Sequence, residues 1–149
     1  MTDEKERQVG EGILLSFPLM HQILHAVFAG EQEHLTKTQF NILIILHFFG
    51  EHTMMQLSDL NGISKEQTTR AVAPLADAGL VERYNSLTNR SRVYVRLTES
   101  GRDRVRELIG RCREYMRGLA ERKLSPDERG ELARHLSVMI PILTRIMGE

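Results

Sequence analysis

Two stretches of this 149-residue sequence concentrate side chains that bind nucleic acids. From Arg83 to Leu97 the chain has four arginines and no acidic residue. Upstream of that stretch, a predicted helix begins with polar side chains suited to base edges and phosphates: Lys65, Gln67, Thr69 and Arg70. The chain as a whole is neutral, with 20 basic and 20 acidic residues, so this local positive charge indicates a polyanionic partner.

The polar start of this helix also fits an ordinary solvent-exposed surface when it is considered alone. Its combination with the acid-free stretch favours DNA binding, because a recognition helix enters the major groove with its first residues leading. Spacing by threes and fours predicts that the opposite side of the helix is buried through Thr68, Ala71, Val72 and Leu75.

Helix starts are marked by capping chemistry. A hydroxyl residue is followed three positions later by a glutamine or glutamate in four pairs: Thr36 and Gln39, Thr53 and Gln56, Ser64 and Gln67, and Ser125 and Glu128. Such pairs satisfy free amides at a helix start reciprocally. The last pair is strengthened by Pro126 at the first helical position.

These signals and the apolar periodicity predict helices over residues 11–30, 36–49, 54–60, 64–78, 98–123 and 126–147. Asn61-Gly62-Ile63 is a tight turn between the third and fourth helices, which is typical of a helix-turn-helix. Strands at 80–84 and 93–97 then form a hairpin. Pro18 is expected to kink or restart the first helix. The predicted fold class is mainly α with a small β-hairpin wing, a winged helix-turn-helix flanked by terminal helices.

The terminal helices carry apolar stripes that a chain this small cannot bury alone. One lies on the first helix (Ile13, Phe17, Met20, Leu24, Val27), one on the fifth (Val105, Leu108, Ile109, Cys112, Met116, Leu119) and one on the last (Leu132, Leu136, Met139, Leu143, Ile146). The last stripe has heptad spacing. We expect these helices to pack against the same helices of a second copy, which predicts a homodimer.

Three motifs in this order resemble the MarR family (multiple antibiotic resistance regulators) of bacterial and archaeal transcription factors: LTKTQFNIL at 35–43, GLVER at 79–83 and VYVRLTESGR at 93–102. The resemblance covers residues 11 to 147. It implies a dimeric repressor that binds double-stranded DNA at a pseudo-palindromic operator and is released by a small aromatic or amphipathic effector. It also implies one domain over 1–149, with a DNA-binding lobe at 34–101 and dimerisation helices at 11–33 and 102–147.

The wing departs from the family pattern. Relatives carry an aspartate that orients an arginine two residues later, whereas the matched positions here are Asn89 and Ser91. Arg90 and Arg92 flank the loop tip and are expected to enter the minor groove, with Asn89 and Ser91 beside them. Without the orienting carboxylate, the wing of the free protein is expected to be more mobile.

A ligand pocket is implied between the first, second and fifth helices. The residues expected there combine apolar surface with a few polar groups: His21, His25, Phe28, Ile44, His47, Phe48, Tyr115 and Met116. Simple core packing of the same residues is the alternative. A metal-responsive regulator using His21, His25 and His47 is a further one, although neither a carboxylate nor a cysteine completes that set and no metal or other cofactor is expected.

Several classes are disfavoured by what the sequence contains. It has no glycine-rich phosphate loop, nucleophile elbow or paired-carboxylate motif, so an enzyme is not expected. The single cysteine, Cys112, is interpreted as a buried structural thiol and fits a reducing compartment. The longest uncharged stretch, 12–30, contains Pro18 and two histidines, which argues against a membrane helix and for a cytoplasmic protein. A winged-helix interaction module that does not bind DNA is the remaining alternative.

Overall fold

The computed structural model describes residues 3–29 and 35–147. Its elements are α1 (Asp3–Val27), α2 (Lys37–Phe49), β1 (His52–Thr53), α3 (Met54–Asn61), α4 (Lys65–Asp77), β2 (Val81–Asn85), β3 (Val93–Leu97), α5 (Glu99–Lys123) and α6 (Pro126–Met147). The strands form an antiparallel sheet in the order β1-β3-β2. This mainly helical architecture with a small sheet confirms the predicted fold class and adds the two-residue strand β1.

The chain divides into two compact units, Met1–Gly110 and Arg111–Glu149. The predicted boundary between residues 33 and 34 and the predicted end of the first helix at residue 30 lie outside the described residues. Across the described part of the chain, no helix has the length and apolar character needed to cross a membrane.

The capping pairs form as the sequence predicts. At α4, Ser64 Oγ accepts the Gln67 N–H at 3.2 Å while Gln67 Oε1 accepts the Ser64 N–H at 3.0 Å. The same reciprocal bonds begin α2 and α3. At α6, the Glu128 carboxylate accepts the Ser125 N–H at 2.8 Å. Each helix start is therefore fixed by bonds that span four residues.

The core of the first unit surrounds α2. Its side chains are contributed by α2 (Ile42, Leu43, Ile45, Leu46), α3 (Leu57), α4 (Ala71, Val72, Leu75), the sheet (Val81, Val95, Leu97) and α5 (Val105, Leu108). The only polar contact between α3 and α4 that is fully enclosed in this described core joins Ser58 Oγ to Thr68 Oγ1 at 2.8 Å. Thr68 Oγ1 is also within 3.0 Å of the Ser64 carbonyl, so the buried hydroxyls are satisfied.

A close contact joins the start of α5 to the entrance of β2. Gly79 has a φ of 71°, which glycine adopts without strain. Thr98 donates from its backbone N–H to the Leu80 carbonyl at 3.1 Å and from its hydroxyl to the Gly79 carbonyl at 2.5 Å. A Cβ on Gly101 would lie 1.9 Å from the Leu80 carbonyl oxygen, so only glycine fits there. The second and third family-like motifs therefore meet in space.

The first helix differs from its prediction in two respects. It begins at Asp3 rather than at residue 11, and an exposed ion-pair set in which Arg7 bonds to Glu4 and Glu11 lines its first turns. It also continues through Pro18 without a restart. No residue of α1 is buried within the single chain. The backbone carbonyl that loses its partner at Pro18 can therefore bond to water.

Candidate nucleic-acid interface

Helix α4 presents the predicted polar face. Thr68, Ala71, Val72 and Leu75 are its buried residues, as the apolar spacing predicts. The side chains proposed to contact DNA are all exposed at the start of the helix: Lys65, Gln67, Thr69 and Arg70. One turn of rigid helix therefore holds these polar groups together, because the opposite side is fixed in the core.

Two of these side chains are already engaged within the helix. Gln67 Oε1 accepts the Ser64 N–H, so in the capped state its second lone pair and its amide N–H groups remain for a partner. The Thr69 hydroxyl donates to the Lys65 carbonyl at 2.9 Å. A two-bond contact between Gln67 and adenine would share the side-chain oxygen with the cap, whereas a single bond donated by the amide would not.

A shallow cleft of about 300 Å³ lies between the start of α2 and the start of α4. Its walls include Thr38 from α2 and both Gln67 and Arg70 from α4. Thr38 was not among the residues proposed from the sequence. Its position beside the capping residue Thr36 was the available signal, because hydroxyl side chains at helix starts commonly contact phosphates.

The wing loop, residues 86–92, is organised by its own side chains. Ser86 Oγ accepts the N–H groups of Thr88 and Asn89 at 3.3 and 3.2 Å. Asn85 Nδ2 donates to the Arg90 carbonyl at 3.0 Å, and the Arg92 N–H donates to the Asn89 carbonyl at 2.9 Å. These bonds shape the backbone from which the Arg90 and Arg92 side chains extend.

The departure from the family pattern at Asn89 and Ser91 has a structural counterpart. Asn89 Oδ1 accepts the backbone N–H of Ser91 at 3.0 Å and also its hydroxyl. The first side chain thus still orients the residue two positions later, but through a neutral amide and a hydroxyl. No charge is fixed by this contact.

The four arginines between Arg83 and Leu97 are not equivalent. Arg96 pairs with Glu82, its cross-strand partner, with 2.5 Å between Nε and Oε1. The hydrogen bond to that carboxylate raises the pKa of Arg96. Among the described residues, the guanidinium groups of Arg90 and Arg92 have no hydrogen-bonding or ionic partner. Glu82 lies one residue before the acid-free stretch, so the sequence count overstated the available charge.

A second cavity, of about 400 Å³, lies between α1, the start of α2 and Leu108 of α5. His21, His25 and Phe28 are among the residues that line it, and their role in binding a ligand stays a prediction. Ile44, His47 and Phe48 do not line it, because the α2 residues that reach it are at the other end of that helix, around Lys37 and Phe40.

The rings of His47 and Phe48 instead contact each other with centroids 4.9 Å apart, and Phe48 is 61% exposed. Tyr115 and Met116 belong to the second unit, and their role in a pocket stays a prediction.

One wall of this cavity carries a polar pair. Lys37 Nζ lies 2.9 Å from His21 Nε2, while the Phe28 and Phe40 rings contact each other with centroids 4.6 Å apart. Within the described residues, no three His, Cys, Asp or Glu side chains come together as a metal site, so the trio His21, His25 and His47 is not assembled. Cys112 is half-buried, and its burial raises the pKa of the thiol.

Comparison with known proteins gives consistent results. The model of the MarR family matches residues 35–93, which contain the helix-turn-helix and most of the wing. A helix-turn-helix-type transcriptional regulator of Bacillus subtilis, YwhA, is 27% identical over 101 residues, covering 68% of this chain and 73% of the relative.

Solved structures extend the likeness beyond that segment. RV1404 from Mycobacterium tuberculosis superposes with a TM-score of 0.73 at 29% identity, covering 99% of this chain and 97% of that one. The apo form of wild-type MarR from E. coli gives a TM-score of 0.67 at 22% identity over 89% and 96% of the two chains, which shows the shared fold. The segment that contains the helix-turn-helix is therefore similar to the MarR family, and most of the chain shares the fold of the solved MarR structure.

Proposed function

We propose that this chain is a MarR-family transcriptional regulator, a cytoplasmic homodimer that represses transcription by binding a pseudo-palindromic operator through α4 and the wing. The main observation is that the two arginines of the wing loop have no ionic partner among the described residues. Arg7, Arg106 and Arg134 pair with carboxylates on their own helices. Arg90 and Arg92, in contrast, extend from the wing loop with no ionic partner in the described structure. Unpaired cations on an exposed loop suit phosphates and the minor groove.

The division of roles between the two elements can be tested by salt-dependent DNA binding. Arg90→Ala and Arg92→Ala should each weaken binding to all sequences and reduce the salt slope by about one unit per lost phosphate contact. Arg70→Ala should relax base preference, at about 1–3 kcal/mol for a direct base contact.

Arg106→Ala is the matched control, because it removes an exposed arginine that is already paired with Asp103. Equal losses for the control and the wing variants would contradict the proposed interface.

The proposed dimer is supported by apolar side chains that the single chain leaves in water. Leu14 is 77% exposed and Phe17 73% exposed on α1, and Ile146 is 66% exposed on α6. Large apolar surfaces of this kind are typical of subunit interfaces. Light scattering should give twice the 17.1 kDa mass of one chain. Two recognition helices about 34 Å apart would then meet successive major grooves, so a full palindrome should bind far more tightly than a half-site.

We also propose that the cavity between α1 and α2 receives a small anionic aromatic or amphipathic effector. Its walls are mainly apolar, and His21 with Lys37 supplies a polar end. An effector that releases DNA must bind the free dimer more tightly than the DNA-bound one.

A thermal-shift screen of phenolic acids and amphipathic dyes, followed by DNA-release assays, tests this. Hits should be lost in His21→Ala and kept in His135→Ala, a histidine on the exposed face of α6. Hits that depend on divalent metal would contradict an organic effector.

A further inference from the structure

The outward face of the sheet carries a connected group of polar side chains: Glu51, Glu82, Tyr84 and Arg96, here called the wing-base cluster. The Tyr84 hydroxyl donates to Glu51 Oε2 at 2.6 Å. The Arg96 guanidinium lies over the Tyr84 ring, 4.8 Å from its centroid, and is also bonded to Glu82. Each charged group of the cluster thus has a partner: Glu51 the Tyr84 hydroxyl, Glu82 the Arg96 guanidinium, and Arg96 both Glu82 and the Tyr84 ring.

The topology gives the bond between Tyr84 and Glu51 a particular meaning. Glu51 lies between Gly50, where α2 ends, and strand β1. Tyr84 lies on β2, which pairs with β3 and not with β1. The bond therefore passes over the central strand and ties the outer strand of the wing to the end of the most buried helix.

The wing needs such a tie because most of it is a two-stranded ribbon. Strand β1 pairs only with Tyr94 and Val95 of β3, so the hairpin beyond those residues has no third strand. Two-stranded ribbons twist more strongly than larger sheets and are only marginally stable. Tyr84, which is paired with Tyr94, stands at the point where the ribbon leaves the three-stranded part of the sheet.

We propose that the wing-base cluster positions the wing for DNA, with Tyr84 and Glu51 as positioning residues that act through Arg90 and Arg92. This inference rests on the proposed function. In it, Arg96 does not contact DNA, because its charge is held by Glu82 and by the Tyr84 ring. The cluster orders the direction of the ribbon before DNA arrives, so less conformational freedom is lost on binding.

A double-mutant cycle between Tyr84→Phe and Arg90→Ala tests the proposal. Tyr84→Phe keeps the ring under Arg96 and removes only the bond to Glu51. In the native background, Arg90→Ala should weaken DNA binding about tenfold; in the Tyr84→Phe background it should weaken binding about threefold or less, because the arginine is no longer held toward DNA. A role in stability alone would leave the two effects independent.

Tyr94→Phe is the matched control. Tyr94 is half-buried on the same sheet face and stacks on Tyr84 with centroids 5.6 Å apart. Among the described contacts its hydroxyl has no hydrogen-bond partner. Its loss should leave the tenfold effect of Arg90→Ala unchanged. The cycle is repeated with Glu51→Ala, in which Arg90→Ala should again weaken binding about threefold or less. It is also repeated with Glu51→Gln, whose side-chain oxygen still accepts the bond from Tyr84, and this variant should regain most of the tenfold effect of Arg90→Ala.

The outcomes separate this inference from the proposed function. If the native protein shows no salt-dependent DNA binding, or if Arg90→Ala has no effect in it, the proposed function fails. If Arg90→Ala weakens binding equally in the native, Tyr84→Phe and Glu51→Ala proteins, the DNA-binding wing stands and the positioning role is overturned. The thermal unfolding midpoint of every variant is measured alongside. If the effect of Arg90→Ala shrinks only in variants whose midpoint is lowered, the positioning role is also overturned.

Discussion

The segment from α2 to β3 and the terminal helices α1 and α6 differ in what their apolar side chains contact. Helix α2 is surrounded, and Ile42 and Leu43 have no exposed surface at all. Helix α1 has no buried residue, and the described side chains of α6 are exposed or half-buried. The first region buries its apolar side chains within a single chain. The second leaves its apolar side chains exposed unless another surface covers them.

This contrast shows that the two regions depend on different conditions. Burial within one chain is independent of protein concentration, but burial between two chains is governed by mass action. Substitutions in the winged-helix segment should therefore change folding, and those on the exposed stripes should change assembly. Four predictions follow this division, beginning with the largest effect.

The first prediction concerns two glycines: Gly101 at the start of α5, which is packed against the entrance of β2, and Gly130 on α6. Gly101→Ala should lower the free energy of unfolding by about 3 kcal/mol, because its Cβ would meet the Leu80 carbonyl oxygen in backbone that cannot move freely. Gly130→Ala, in open space on α6, should raise it by about 0.5–1 kcal/mol. Urea unfolding at one fixed protein concentration measures both. A harmless Gly101→Ala would mean that α5 does not approach β2 so closely.

The second prediction concerns the heptad stripe of α6. Met139→Glu would place a charge among side chains that the proposed dimer buries, at a cost of about 2 kcal/mol, or about 30-fold in the dimer dissociation constant. Ser137→Glu, off the stripe, should leave association unchanged. Light scattering across a dilution series measures the two constants. Equal association for both variants would show that this stripe is not the interface.

The third prediction compares two helices that begin with a hydroxyl cap. Thr53→Ala removes the cap of α3, whose threonine is buried, and should lower the global free energy of unfolding by about 1 kcal/mol. Ser125→Ala removes the exposed cap of α6 and should act locally, raising hydrogen exchange at the first amides of that helix about fivefold. Uniformly faster exchange along the whole chain in Ser125→Ala would show that the two regions open together.

The fourth and smallest effects appear at opposite ends of the pH scale. The bond to Glu51 raises the pKa of Tyr84, so its stabilisation is complete below about pH 10 and is lost as pH rises through the raised value. The bonds from Ser125 lower the pKa of Glu128, so its stabilisation is complete above about pH 4.3 and is lost as pH falls through the lowered value.

NMR titration follows each of these side chains directly. Glu51→Ala should bring the Tyr84 midpoint down, and an unmoved midpoint would refute the assigned cause. Ser125→Ala keeps the backbone N–H bond to Glu128 and removes only the hydroxyl, so it should bring the Glu128 midpoint up by only part of its shift. Full return of the Glu128 midpoint in that variant would contradict the larger role of the backbone bond.

Features that depend on a few neighbouring residues were predictable from the sequence. The capping boxes at Thr36, Thr53 and Ser64 formed, and the buried side of α4 was correct, because both follow from spacing within one helix. The close approach of Gly101 to the Leu80 carbonyl was present only as two separate motifs. Its physical reason, a backbone approach that excludes a Cβ, required the structure.

Features that depend on pairing between distant segments were not predictable. Strand β1 is two residues long and is defined by partners about forty positions away, so its own sequence carries no strand signal. The pairing of Arg96 with Glu82 follows from the register of β2 on β3. The predicted pocket and the observed cavity lie at opposite ends of α2 for a similar reason, since an all-apolar helix does not indicate which end faces α1.

The choice of capping partner has a consequence for electrostatics. Helices α2, α3 and α4 are all capped by glutamine, whereas α6 uses glutamate. A carboxylate would favour the positive end of a helix dipole by a further 0.3–1 kcal/mol or so. Gln39 and Gln56 forgo that gain and leave the starts of α2 and α3 without a carboxylate, whereas the first turn of α4 has Glu66 beside its Gln67 cap. If these helix starts approach the phosphates of DNA, as the proposed function requires, a carboxylate cap would be more stable but also more repulsive, so stability and affinity would favour different residues there.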